Sequence, residues 1–220
     1  LGTFHHLYWS GTPISVLALG SVFSALEVVP LMVVGFEAYS RAKHEGLFDW
    51  QKSYHWPFKF FVSVLIWNLI GAGLLGFLIN PPLALYYMQG LSTTPTHGHA
   101  ALFGVYGMLG LGLILFCMRG LTDPTRWSQR LLSTSFWCLN IGLAMMVFLS
   151  LLPQGLWQAY ASFTHDYAYA RSAEVIQGPV MQALVWARVP GDLVFAVGVA
   201  AFAGFVLRAF VGAYGNRGRV

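Results

Sequence analysis

Long apolar runs broken by short polar connections dominate the sequence. Five of them, about 13–38, 57–79, 97–118, 131–152 and 185–211, reach the roughly 20 apolar residues that a bilayer crossing needs. In lipid every backbone amide needs an internal partner, so each run is predicted to be a helix. The pattern predicts an all-α integral membrane protein, a single domain over residues 1–220 with five transmembrane helices. No internal repeat or low-complexity stretch interrupts it.

The connections predict an orientation. The first carries Arg41, Lys43 and Lys52, with Lys59 just inside the next helix. The third carries Arg119, Arg126 and Arg130, and the tail Arg208, Arg217 and Arg219. The second, 80–96, carries no Lys or Arg, and the fourth only Arg171. Positive charge stays inside, so connections one and three and the C-terminus are expected in the cytoplasm. His5 and His6, ahead of the first helix, then lie at the same depth as His97 and His99, which open the third.

Composition agrees with the pattern. Hydrophobic residues make up 57% of the chain and charged residues 9%, against about 25% charged in a soluble domain. The net charge of +4 forms no clustered basic face, so no nucleic-acid partner is expected. Cys117 and Cys138 fall inside apolar runs and read as packing residues. The chain opens Leu1-Gly2-Thr3-Phe4, without Met or signal-peptide features, and reaches histidines at once. We expect a part of a longer protein, or a truncated copy of one.

The strongest chemical signal is Thr96-His97-Gly98-His99 after Pro95, with Thr94 as the expected N-cap. Two residues advance a helix by about 200°, so the two imidazoles should leave from nearly opposite faces. They suit two separate cofactors, one on either side, and histidine is a standard axial ligand of heme iron. The alternative is a pair of interfacial histidines bonded to loops. Gly98, Gly104, Gly107, Gly110 and Gly112 leave room either for flat macrocycles or for neighbouring helices. His5 and His6 can converge on one metal, or belong to an interfacial aromatic belt with Tyr8 and Trp9.

Glu27, mid-helix, is costly in lipid unless paired or hydrated. It reads as a proton-handling or metal-neighbouring carboxylate, or as a structural hydrogen-bonding group. Glu37, nearer the helix end, reads as a snorkelling residue. Arg188 and Asp192 are spaced for an i, i+4 ion pair, or Arg188 neutralises heme propionates. Asn68 and Asn140 read as interhelical hydrogen-bonding amides.

Several stretches resemble a known family. Gly2-Thr3-Phe4-His5-His6-Leu7-Tyr8 with Ser10-Gly11-Thr12-Pro13, and Phe23-Ser24-Ala25-Leu26-Glu27, are similar to the large subunit of nitric oxide reductases of the heme-copper oxidase superfamily. So is Leu85-Tyr86-Tyr87-Met88-Gln89-Gly90 leading into the His97-Gly98-His99 block. Phe4 and Tyr169-Ala170-Arg171-Ser172-Ala173-Glu174 look closest to the single-chain, quinol-dependent branch. The resemblance covers essentially the whole chain, whose five helices match the last five of the family's catalytic core.

The resemblance implies roles. His5 and His6 match two of three histidines on a non-heme iron. His97 matches the proximal ligand of a high-spin heme b that binds NO, and His99 one axial ligand of a low-spin heme b. Glu27 matches a carboxylate near the binuclear centre. The implied reaction reduces two NO to N2O and water with electrons from quinol, in the bacterial inner membrane, among lipid. The third iron-binding histidine, an iron-ligating glutamate and the second axial histidine would lie on upstream helices of the same enzyme. The 220 residues alone are therefore expected not to turn over NO. Two rival readings remain: an oxygen reductase with copper at the non-heme site, and a non-catalytic heme-binding membrane protein. A transporter is disfavoured, since no inverted repeat is visible.

Overall fold

A computed structural model describes residue 7, residues 10–45 and residues 54–215. Its described elements are helical. Among the described residues five helices are long and apolar enough to cross a membrane: Ile14–Arg41, His55–Ile79, Thr93–Leu121, Gln129–Thr164 and Pro179–Gly212. They are called the first to fifth helix below. His5 and His6 lie outside the described residues.

The helices run past the expected limits for local reasons. The third begins at Thr93, so Thr94 sits in the first turn and is not the N-cap. Pro95 also falls in that turn, where a missing N–H costs nothing. The fourth continues through Pro153 to Thr164. A π-helical stretch, Met146–Leu151, ends two residues before that proline, and such local rewinding is how membrane helices accommodate proline. Two more π-helical stretches, Asn68–Leu75 and Ala100–Gly107, lie in the second and third helices. The first and fifth helices are each interrupted ahead of a proline. Glu27 separates the helical segments Ile14–Leu26 and Val28–Glu45 ahead of Pro30. Arg188 lies between Pro179–Trp186 and Val189–Gly215 ahead of Pro190. Each proline lacks the N–H that would bond four residues back.

The core lies between the second, third, fourth and fifth helices. Trp56, Phe60, Trp67, Leu115, Leu132, Leu139 and Phe205 fill it. The fourth and fifth helices touch backbone to backbone: a Cβ on Gly142 would meet the Phe195 amide at 2.5 Å. Small residues permit such approach where lipid removes the hydrophobic drive between helices. One polar hub crosses this core. Asn140 Oδ1 accepts from Ser63 Oγ at 2.5 Å and from Trp67 Nε1 at 2.9 Å, while Asn140 Nδ2 donates to the Phe136 carbonyl. Asn140 thus bridges helices as expected. Asn68 does not: its side chain makes no hydrogen bond among the described residues.

A short helix, Pro82–Met88, and Gly90, at φ 76°, turn the chain into the third helix. The extended end of the fourth helix and the connection after it hold this turn. Gln158 Oε1 accepts from the Ser92 amide at 2.8 Å, Ser162 Oγ donates to the Tyr87 carbonyl at 2.9 Å, and Tyr167 Oη donates to the Gln89 carbonyl at 2.6 Å. The start of the histidine-bearing helix is therefore clamped from the side.

Candidate functional site

His97 and His99 occupy the second turn of the third helix and face different neighbours. His97 Nδ1 lies 2.7 Å from the Gly71 carbonyl of the second helix. His99 Nδ1 lies 2.8 Å from the Pro95 carbonyl of its own helix, and its Nε2 lies 3.1 Å from Arg188 Nη2 of the fifth. The second and fifth helices thus flank the histidine pair, in accord with the angle expected from their spacing.

The hydrogen bonds fix the tautomers. A carbonyl only accepts, so each Nδ1 carries a proton and donates it. Arginine only donates, so His99 Nε2 is the acceptor of that contact. Both rings are thus anchored through Nδ1, and the Nε2 lone pair of His99 is taken by Arg188. Metal-ligating histidines take this arrangement, with the far nitrogen held by a carbonyl. Anchoring through Nδ1 is compatible with heme ligation through Nε2, and at His99 the iron would take the place of Arg188 on that nitrogen.

Backbone supplies the His97 anchor. Gly71 lies in the π-helical stretch of the second helix, and its carbonyl also accepts from the Gly76 amide. A Cβ on Gly71 would stand 2.8 Å from the Ala100 carbonyl carbon. Only glycine there lets the second and third helices approach this closely. A Cβ on Gly76 would lie 3.3 Å from His97 Cε1. Neither position was singled out in the sequence, because a backbone acceptor across a helix pair leaves no residue-type signature.

The glycines of the third helix differ in their surroundings. Gly104 packs against Trp67 and Gly112 against Phe61, with added Cβ atoms at 2.5 and 2.7 Å. Gly98 and Gly110 face open space, room that a macrocycle could use. Phe103 packs tilted against the His99 ring, with centroids 5.4 Å apart, and Phe195 meets Phe103 edge-on at 5.8 Å.

Arg188 and Asp192 form the expected pair, with Nε 3.0 Å from Oδ1 and 3.2 Å from Oδ2. The guanidinium is thereby shared between a carboxylate and an imidazole. Glu27 is exposed at the break in the first helix, and its carboxylate makes no hydrogen bond among the described residues. One turn earlier, Ser24 Oγ accepts from Asn80 Nδ2 at 2.8 Å, which brings the first helix to the end of the second, beside Gly76 and His97. Among the described residues no three His, Cys, Asp or Glu side chains converge on one point. Glu37 pairs with Arg41 at 3.0 Å on an exposed face.

Five helices of membrane-spanning length among the described residues define a multi-pass membrane protein. Comparison with known proteins places it more narrowly. Residues 1–194 match the family model for cytochrome c and quinol oxidase polypeptide I. The chain belongs to that heme-copper oxidase family, an oxidoreductase family whose members typically bind heme. It is also 31% identical, over 156 residues, to a nitric oxide reductase subunit from Stutzerimonas stutzeri. That match covers 68% of this chain but 32% of the relative, so the chain spans about a third of the relative's length.

Proposed function

We propose that this chain is the heme-binding, C-terminal part of a membrane nitric oxide reductase that reduces two NO to N2O and water with electrons from quinol. The observation that carries this reading is the histidine pair on one helix, with each Nδ1 tied to a backbone carbonyl and the second and fifth helices on either side. His97 would hold the high-spin heme b and His99 the low-spin heme b. His5 and His6 would hold a non-heme iron together with ligands from helices outside this chain. When bound, these groups supply electron delivery and two neighbouring metal sites that bring two NO nitrogens within coupling distance.

The protein's own residues do the rest. The Gly71 and Pro95 carbonyls orient the imidazoles. Arg188, fixed by Asp192, neutralises propionate charge beside His99. Glu27 passes protons inward, two being consumed for each pair of NO. The bundle lies in the bacterial inner membrane, with the C-terminus cytoplasmic and the histidine end outward, as the Lys and Arg distribution supports.

The test is to express the full reading frame that contains this chain and to record NO and O2 consumption in membranes given a reduced quinol. NO consumption that disappears in His97→Ala supports the reading. A second reading, an oxygen reductase, is favoured by the oxidase name of the matching family model. O2 consumption without NO consumption would select it.

A further inference from the structure

A second site lies at the same end of the bundle, away from the histidine pair. The fourth helix ends at Thr164 and the fifth begins at Pro179. Between them the chain folds into two single-turn helices, Tyr167–Ala170 and Ala173–Ile176. A cavity of about 340 Å³ opens there, walled by Trp157, Tyr160, His165, Tyr169 and Pro179, with Glu174 at its edge. It sits where apolar helix gives way to polar connection, the depth of a headgroup layer.

The wall is aromatic and rich in acceptors. Trp157 and Tyr160 lie nearly parallel, 6.1 Å apart and inclined by 27°. His165 and Tyr169 stack at 4.3 Å, also inclined by 27°. The Thr164 hydroxyl donates its proton to the Tyr160 carbonyl at 2.8 Å. His165 Nδ1, 3.0 Å from the Thr164 oxygen, must therefore be the donor of that contact, and in the neutral ring His165 Nε2 is an acceptor. Glu174 Oε1 accepts from Tyr169 Oη at 3.1 Å. The carboxylate is otherwise without a hydrogen bond among the described residues. No Lys or Arg lines the cavity.

Aromatic faces, one carboxylate, an imidazole acceptor and no cation together describe a receptor for a donor-rich cation. We infer that this cavity binds an ammonium group, and that its source is the ethanolamine headgroup of a membrane phospholipid. The ammonium would rest on the ring faces and donate to Glu174. The phosphodiester finds no cation in the cavity and stays in water. A lipid with phosphate but no ammonium, such as phosphatidylglycerol, is therefore discriminated against.

The test uses the full-length protein in nanodiscs of equal phosphatidylethanolamine and phosphatidylglycerol with matched acyl chains, read by native mass spectrometry after release. We expect phosphatidylethanolamine to be retained about tenfold over phosphatidylglycerol. Glu174→Gln and Trp157→Leu should each bring that ratio close to one. Both change exposed or half-exposed side chains, and unchanged thermal unfolding of each variant in detergent shows that folding is intact. Equal retention of the two lipids in the unaltered protein, or a preference that survives both substitutions, overturns the inference. Millimolar free ethanolamine is the last arm. If it displaces the lipid only partially, the headgroup source stands. If it binds while no phospholipid is retained, the source is a soluble amine and the lipid assignment fails.

Discussion

His99 and Arg188 meet nitrogen to nitrogen: Nε2 of the imidazole lies 3.1 Å from Nη2 of the guanidinium. Both atoms are nitrogens, and only one can donate. Because guanidinium has no acceptor, the contact assigns the His99 proton to Nδ1, where the Pro95 carbonyl receives it. Asp192 holds the other edge of the same guanidinium. The chain Asp192–Arg188–His99 joins the fifth helix to the third at the level where the cofactors are proposed to bind.

Arg188→Ala removes the donor to His99 and leaves Asp192 without its partner. Arg188 and Asp192 are 34% and 45% exposed, so solvent recovers part of the loss, and the expected cost is about 1 kcal/mol. On the proposed reading, in which iron takes the place of Arg188 on His99 and Arg188 pairs with a propionate, the low-spin heme absorbance of the purified full-length protein falls as well, and Arg188→Lys restores only part of it, since a point charge cannot reproduce the fork. Unchanged spectra and stability in Arg188→Ala would show that the contact is incidental.

Glu27→Gln keeps the shape of the side chain and removes its charge. We expect NO turnover in the full-length protein to drop by tenfold or more, towards the range of about 10²–10⁴ associated with a positioned proton-transfer group, while heme content stays the same. Full turnover in this variant would take Glu27 out of the proton path.

Asn140→Leu strips the acceptor from both Ser63 and Trp67 and leaves two donors in the core. The expected destabilisation is about 1–3 kcal/mol, seen as a lower thermal unfolding midpoint. Ser63→Ala should cost less, because it leaves Trp67 its partner. A Ser63→Ala, Asn140→Leu double variant should fall short of the sum of the two, since the residues share one interaction.

Gly104→Ala forces a methyl to within 2.5 Å of Trp67, and overpacking of this kind costs about 1–3 kcal/mol. Gly110→Ala meets nothing within 4 Å and should leave thermal stability intact or raise it slightly, since alanine is the better helix former. Equal behaviour of the two variants would contradict the packing described between the second and third helices.

Asp123 gives a pH prediction outside the membrane-spanning helices. Hydrogen bonds from the Thr125 hydroxyl and amide hold its carboxyl below the ordinary carboxylate value, with Arg126 assisting. A lowered value in the folded state stabilises the turn at all pH above the ordinary carboxylate range. That contribution disappears as pH falls through the lowered value. Acid titration of the Asp123 carboxyl by NMR should show the depressed midpoint, and Thr125→Val should move it back towards normal.

The five helices were legible because each apolar run exceeds what a soluble core can use, and the angle between His97 and His99 followed from spacing alone. Helix limits were not, because Pro153 reads as a stop and becomes internal once the preceding turn is π-helical. The Arg188–Asp192 pair was visible in its i, i+4 spacing, but its contact with His99 joins residues 89 apart in the chain. The Gly71 anchor left no trace, since its acceptor is a carbonyl common to every residue. Asn68 and Asn140 looked alike in sequence, and only Asn140 finds donors on a neighbouring helix.

The π-helical stretch Ala100–Gly107 has a further consequence. It accommodates an extra residue between the histidine pair above and the Gly112 contact below, and each residue turns a helix by about 100°. The stretch therefore sets the phase between the two halves of the third helix. Deleting Val105 would restore an unbroken α-helix and keep both histidines, yet rotate them by about a quarter turn against the packed lower half. His97 would then miss Gly71 and His99 would miss Arg188, which loss of both heme signals in the deletion variant would report. At this point of the chain, length is a stricter constraint than residue identity.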